Sequence, residues 1–237
     1  MDEMKLAIMQ PYFFPYIGYF QLISAVDKFI VYDNIKYTKK GWINRNRMLR
    51  DGRDATFSLP LKAAPDSLDV CERSLSPDFD RNKLLNQLQG AYRRAPFFSN
   101  AFPVLEQAIS FPDNNLFSYI FNSIREICGY LAIGTEFAVS SEIAINHDLK
   151  SQEKVLALCD KAGAKVYVNA IGGMELYSQD AFAARDIELK FIKPKYVEYF
   201  QFGADFVPWL SIVDVIMFNS AEEIQKNILG EYELIQS

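Results

Sequence analysis

The sequence predicts an α/β protein whose central sheet is mostly parallel and covered by helices on both faces, with a helical insertion at about 78–133. Three observations carry this. Between 135 and 192, short apolar runs alternate with helical periodicities in a β-α-β-α-β rhythm. The opening, 4–33, has the order strand, loop, helix, strand. Between these two regions, 78–133 lacks strand signals altogether. Together they describe a single α/β domain over 1–237, a Rossmann-like sheet with one helical block set into it.

Residues 4–9 are apolar without a helical period and are closed by Gln10 and Pro11, which reads as a strand. The loop 11–16 is stiffened by a proline at each end. In 17–26, Tyr19, Phe20, Ile23 and Val26 fall at helical spacing. Gly18, in the first turn, lets backbone or ligand approach a helix start that is itself receptive to anions. Residues 28–33 form the next strand, and 35–43 alternate as a hairpin or extended excursion would. Residues 55–61 are a third strand candidate, with Pro60 marking its end or an edge. A polar connection, 63–77, leads into helices at 80–95, 101–109 and 114–131, separated by Pro96 and Pro112. Phe117, Ile120, Phe121, Ile124 and Ile127 share one helical face and belong to the core. A strand at 135–140, an amphipathic helix at 149–162 ended by Gly163, a strand at 165–168, a helix at 178–185 and a strand at 187–192 follow. Helices at 210–218 and 221–229 close the chain.

Composition narrows the function. Half of the 237 residues are hydrophobic, enough for a sizeable core, and no run approaches the roughly 18 apolar residues that span a bilayer. No integral membrane segment is expected. The start lacks the basic and apolar regions of an export signal, so the expected location is cytoplasmic. Cys71, Cys128 and Cys159 are odd in number and far apart, which suits reduced thiols and excludes a Cys-x-x-Cys metal site. His147 stands alone, in a turn before a helix, so a two-histidine metal site is excluded too; it reads as a surface histidine. No metal is expected, and no cofactor is indicated. A net charge of -5 argues against nucleic acid as a partner.

Ligands of open parallel sheets bind beyond the carboxyl ends of the strands, so loops 10–16 and 33–47 should face one crevice. Asp33 ends an apolar strand there; it either takes a proton from an attacking amine or caps its own turn. Lys36, Lys39, Lys40, Arg45, Arg47, Arg50 and Arg53 face one acid, Asp51, across 36–53, a basic patch able to hold a phosphate or diphosphate. Of these, Lys39, Lys40, Arg50 and Arg53 read as solvated, and Arg45 and Arg47 as ligand-facing. Asn34, Asn44 and Asn46, alternating with the basic residues, offer amides for sugar hydroxyls or carbonyls, and Gln10 is a further binding candidate. Tyr12, Tyr16, Tyr19, Tyr37 and Trp42 offer stacking faces, one or two of them serving as core instead. Asn169, Gly173 and Tyr177 supply a second wall, and Gln201, near Tyr196 and Phe206, a third. Asp214 and Ser211, three apart on a helix, read as a local hydrogen-bonded pair.

The segments QPYFFPYIGYF, YDNIKYTKKGWINRNRM, YRRAPFF, AGAKVYVNAIGGMELY and DFVPWLSIVDVIMFNS, in that order, resemble the WbqC-like protein family over nearly the whole chain. The resemblance implies a transferase of bacterial surface-polysaccharide (O-antigen) biosynthesis, moving an acyl or aminoacyl, and in particular a glycyl, group to a nucleotide-linked amino sugar. It implies a phosphate-bearing nucleotide sugar as small-molecule partner, and it maps directly onto Asn44, Arg45 and Arg47. Two positions depart from the family pattern: Leu84 follows Lys83 where relatives carry a histidine, and Asn169-Ala170 replaces Ser-Gly. Two alternatives stay open. The opening strand, loop and helix resemble nucleotidylyltransferases of the HIGH type, with Tyr16 and Tyr19 where those have histidines, which would leave a nucleotide-binding protein. A non-catalytic scaffold of a glycan-synthesis complex is the other.

Overall fold

The computed structural model describes residues 3–203 and 205–236. Six strands form the main sheet: β1 (Lys5–Met9), β2 (Lys28–Val31), β5 (Glu136–Val139), β6 (Val166–Ala170), β7 (Glu188–Pro194) and β8 (Tyr232–Ile235). Their order is β5-β2-β1-β6-β7-β8, with the first five parallel and β8 antiparallel on the edge. Counted along the chain within this sheet, the order is 3-2-1-4-5-6, the Rossmann arrangement. Its direction of winding reverses between β1 and β6, which places the switch point beside the β1 carboxyl end.

Alternate side chains of the strands feed two cores. Ala7, Phe29, Val31, Val166, Val168 and Ile192 pack on one face against α1 (Ile17–Ser24) and α7 (Ile212–Phe218). The same core takes in α2 (Arg81–Tyr92), α3 (Phe98–Ile109) and α4 (Leu116–Tyr130), so the helical block is continuous with the rest of that layer. Leu6, Ile8, Ile30, Tyr167, Leu189 and Phe191 face the other way, against α5 (Ser151–Ala162) and α6 (Gln179–Ala183). Gly163 ends α5 at φ 72°, the left-handed cap its position predicts. The short α8 (Ala221–Asn227) leads into β8.

Two elements differ from the sequence reading. Residues 45–50 form β3 (Arg45–Arg50), which pairs with β4 (Arg53–Ser58) in a hairpin outside the main sheet. Its turn is Asp51-Gly52, both at positive φ (51° and 74°), the Asp-Gly signal of a tight hairpin. Three arginines in six residues hide the strand, whose buried residues are Asn46 and Met48 on one face and Leu49 on the other. The chain also closes on β8 rather than on a helix: its four residues show no alternation of burial, with Glu233 and Leu234 both exposed, so no strand pattern registers.

Candidate functional site

A cavity of about 570 Å³ opens at the carboxyl ends of β1, β6 and β7, beside the switch point. Tyr12, Pro15 and Tyr16 come from the loop after β1, Ile171 follows β6, and Lys193 and Pro194 end β7. Trp42, Asn46 and Arg47 come from the hairpin, and Tyr196 and Trp209 from the connection to α7. Among the described residues the lining therefore holds five aromatic side chains, two cations and no carboxylate. Burial raises the pKa of the Tyr12 and Tyr16 phenols, with Tyr16 adding to the effect on Tyr12, so both stay protonated and serve as donors.

Bulky residues in strained backbone hold these walls. Phe14 (φ 41°) and Trp209 (φ 58°) lie in the left-handed region, at about 1–3 kcal/mol each. The Phe14 carbonyl accepts from Asn46 Nδ2 at 2.8 Å and from Ser211 Oγ at 2.7 Å. The Trp209 carbonyl accepts from Arg47 Nη2 at 3.0 Å. Arg47 also meets Asp54 at 3.3 Å and lies 5.7 Å from the Trp42 ring centre. Asn46 is thus a buried positioning residue, its Oδ1 taking the Arg47 N–H.

Gly18 permits a close approach, but by Tyr16 rather than a ligand. A Cβ there would stand 2.4–2.6 Å from atoms of the Tyr16 ring, which lies against the first turn of α1 and meets Trp209 edge-on at 6.3 Å. Gly18→Ala is expected to leave folding stability within about 1 kcal/mol, since helix propensity improves and only a ring end must move. The same change should shift tryptophan emission as Tyr16 leaves Trp209, which a fluorescence spectrum and a melting curve check together.

Of the residues singled out from the sequence, Tyr12, Tyr16, Trp42, Asn46, Arg47 and Tyr196 line the cavity. The other candidates hold structure. Tyr19 is buried and donates to the Gln10 carbonyl at 3.0 Å. Tyr37 donates to Asn44 Oδ1 at 2.8 Å, and Asn44 Nδ2 to the Leu59 carbonyl at 2.8 Å. Arg45 donates to the Gly41 and Lys40 carbonyls (3.0 and 2.6 Å), tying up its own loop. Lys36 is exposed, its backbone bridged to Asp69. Asn169 is buried, with Gly173 packed against its amide, and Tyr177 packs edge-on to Tyr167 and Phe182.

Asp33 stands away from the cavity lining, 2 % exposed, and instead of capping its own turn it holds a segment distant in sequence. Ser140 Oγ (2.8 Å), the Ser141 N–H (2.9 Å) and Ser141 Oγ (2.6 Å) all donate to it, so its carboxylate pins the turn after β5. Asn34 joins the same turn, its Oδ1 sharing the single Ser140 hydroxyl proton with Asp33 at 2.6 Å, and its Nδ2 meeting His147 Nδ1 at 3.0 Å. Gln201 serves Asp214 instead of a ligand: Gln201 Nε2, Tyr199 Oη and Tyr92 Oη donate to that carboxylate at 2.6, 2.7 and 2.9 Å. Asp214 and Ser211 therefore brace different neighbours and do not pair through their side chains. Lys193, Pro194, Ile171 and Trp209 line the cavity without having been singled out, because strand ends distant in sequence bring them together.

The fold and the cavity define a Rossmann-ordered α/β protein with an aromatic, cationic cavity at the switch point. The chain belongs to the WbqC-like protein family, whose model matches residues 10–226. It is 30% identical over 222 residues to an uncharacterized protein of Mycobacterium tuberculosis, covering 92% of this chain and 95% of that one. No solved structure gives a significant match. Among the described residues, no helix is long and apolar enough to cross a membrane.

Proposed function

We propose that this protein is a transferase of bacterial surface-polysaccharide biosynthesis that moves an acyl or aminoacyl group onto the amine of a nucleotide-linked amino sugar. The observation that carries this reading is the cavity itself: five aromatic faces around Arg47 and Lys193, with no carboxylate to repel a diphosphate. A base or an apolar sugar face stacks among the rings, and the diphosphate takes the two cations. The sugar amine attacks the donor's acyl carbon, a C–N bond forms, and the donor's leaving group departs, the amine proton passing to it or to water. Tyr12 and Tyr16, held protonated, donate to the acyl oxygen as it gains charge.

One observation favours a second reading, nucleotide binding without transfer. The lining offers no carboxylate or imidazole to take the amine proton, and His147 is engaged elsewhere by Asn34 and the Ile143 carbonyl. The two tryptophans of the chain, Trp42 and Trp209, both line the cavity, so intrinsic emission reports on it directly. Titration with a uridine-diphosphate amino sugar should change that emission saturably, and at about 100 times its dissociation constant should add roughly 2.7 kcal/mol of stability. Equal affinity for the free nucleotide favours the second reading. Silence towards both overturns both.

A further inference from the structure

Three rings of the cavity meet at a corner rather than in a stack. Tyr16 and Tyr196 both stand edge-on to Trp209, each at 6.3 Å, with interplanar angles of 68° and 66°. Neither pair forms the parallel slot that clasps a flat base; together they make a corner that a chair-shaped ring, with its C–H bonds pointing outward, can fill. The Tyr16 ring is backed by the first turn of α1, and the Arg45 and Arg47 guanidinium groups lie over Trp42 at 5.6 and 5.7 Å from its ring centre. Bases are read by hydrogen bonds to their edges, and sugar hydroxyls by amides and carboxylates. Asn46 carries the one side-chain amide among the described lining residues, and it is committed. Its Nδ2 donates to the Phe13 and Phe14 carbonyls at 3.3 and 2.8 Å, and its Oδ1 accepts the Arg47 N–H at 2.9 Å. Eight of the eleven lining residues are aromatic, proline or isoleucine.

Resting on the nucleotide-sugar reading, we propose that this corner receives the sugar, leaves the base outside, and selects an amino sugar poor in hydroxyls, a 6-deoxy sugar above all. In that reading Arg47 and Lys193 meet the diphosphate, and the Tyr12 and Tyr16 hydroxyls meet the acyl oxygen. Indole N–H groups only donate, so the Tyr196 oxygen is the one side-chain acceptor of the lining left for sugar hydroxyls. A hydroxyl enclosed among rings without a partner weakens binding, whereas a C–H surface in its place packs on them. Position 6 matters most because its carbon projects from the chair. A methyl group there lies against the aromatic faces, where a hydroxymethyl would bury an oxygen.

The test titrates the full chain with three probes, followed by tryptophan emission: uridine diphosphate, uridine diphosphate glucosamine, and the 6-deoxy counterpart of the latter, which lacks one oxygen. Affinity should rise in that order, the 6-deoxy compound binding about 10-fold tighter than the glucosamine compound. Tyr196→Ala, a change at an exposed position, should lower the affinity for the 6-deoxy compound about 5-fold and leave that for uridine diphosphate nearly unchanged. Equal affinity for the two sugar compounds overturns the proposal and leaves the nucleotide-sugar reading standing. Uridine diphosphate that binds as tightly as either, or that loses as much affinity in the variant, puts the base on the rings and overturns the proposal too. Silence towards all three probes removes the proposal together with the reading it rests on.

Discussion

Asp214→Ala is expected to cost about 3–5 kcal/mol of folding stability, because it strands three buried donors at once. Tyr92 comes from α2, and Tyr199 and Gln201 from the connection that carries Trp209; all three converge on this one carboxylate. The Tyr92 oxygen in turn accepts the Leu49 N–H of β3 at 2.8 Å, so the network ties the hairpin wall of the cavity to its opposite wall. Denaturant unfolding should register the loss, and tryptophan emission should report a loosened Trp209. Asp214→Asn isolates the charge. Burial pushes the carboxyl up from 3.8 to about 6, against the three hydrogen bonds, which lower it. Between those values the folded state holds the proton more firmly than the unfolded chain does. The contribution is therefore full below about pH 3.8, falls as pH rises, and is gone above about pH 6. Its size is up to about 3 kcal/mol at 1.36 kcal/mol per unit. The stability difference between wild type and the Asn variant should shrink or reverse across that window, and a difference that stays flat from pH 4 to 6.5 would remove the assignment.

The sheet was legible because β1, β2 and β6 read as short, largely buried apolar runs, and the partly buried edge strand β5 and the more alternating β7 still keep apolar centres. The second strand of the hairpin overlaps the candidate at 55–61, but the first was not legible, because three arginines interrupt it and only Asp51-Gly52 marked its end. Placing the site at the carboxyl ends of the strands needed topology alone. Assigning its residues needed orientation, which sequence does not supply. Asp33 and Arg47 both carry charge near a strand end, yet Ser140 and Ser141 fold over the first while the second reaches across to Trp209. Asn46 reads as a ligand-facing amide for a similar reason: an amide that holds a strained Phe14 carbonyl cannot be told from one that faces a sugar until the carbonyl is in place.

Arg47→Ala is expected to weaken nucleotide-sugar binding about 10- to 100-fold, the loss of a charge-assisted contact worth about 1.5–3 kcal/mol. Its effect on folding should stay near 1 kcal/mol or less, since the ion pair with Asp54 is half exposed. Arg47→Lys keeps the charge but forfeits the planar fork that meets Trp209, Asp54 and the Trp42 face together, so it should recover only part of the affinity. Arg45 provides the contrast. Two residues along the same strand, it also lies over Trp42, at 5.6 Å, but its donors are spent on Gly41 and Lys40. Arg45→Ala should therefore disturb the loop that presents Trp42 and leave the affinity for the diphosphate nearly intact. Calorimetric titration of the three variants with the same nucleotide sugar separates these outcomes. Equal losses at Arg45 and Arg47 would mean that general positive charge, rather than the lining of the cavity, attracts the ligand. That result would shift the binding site outward onto the basic face of the hairpin.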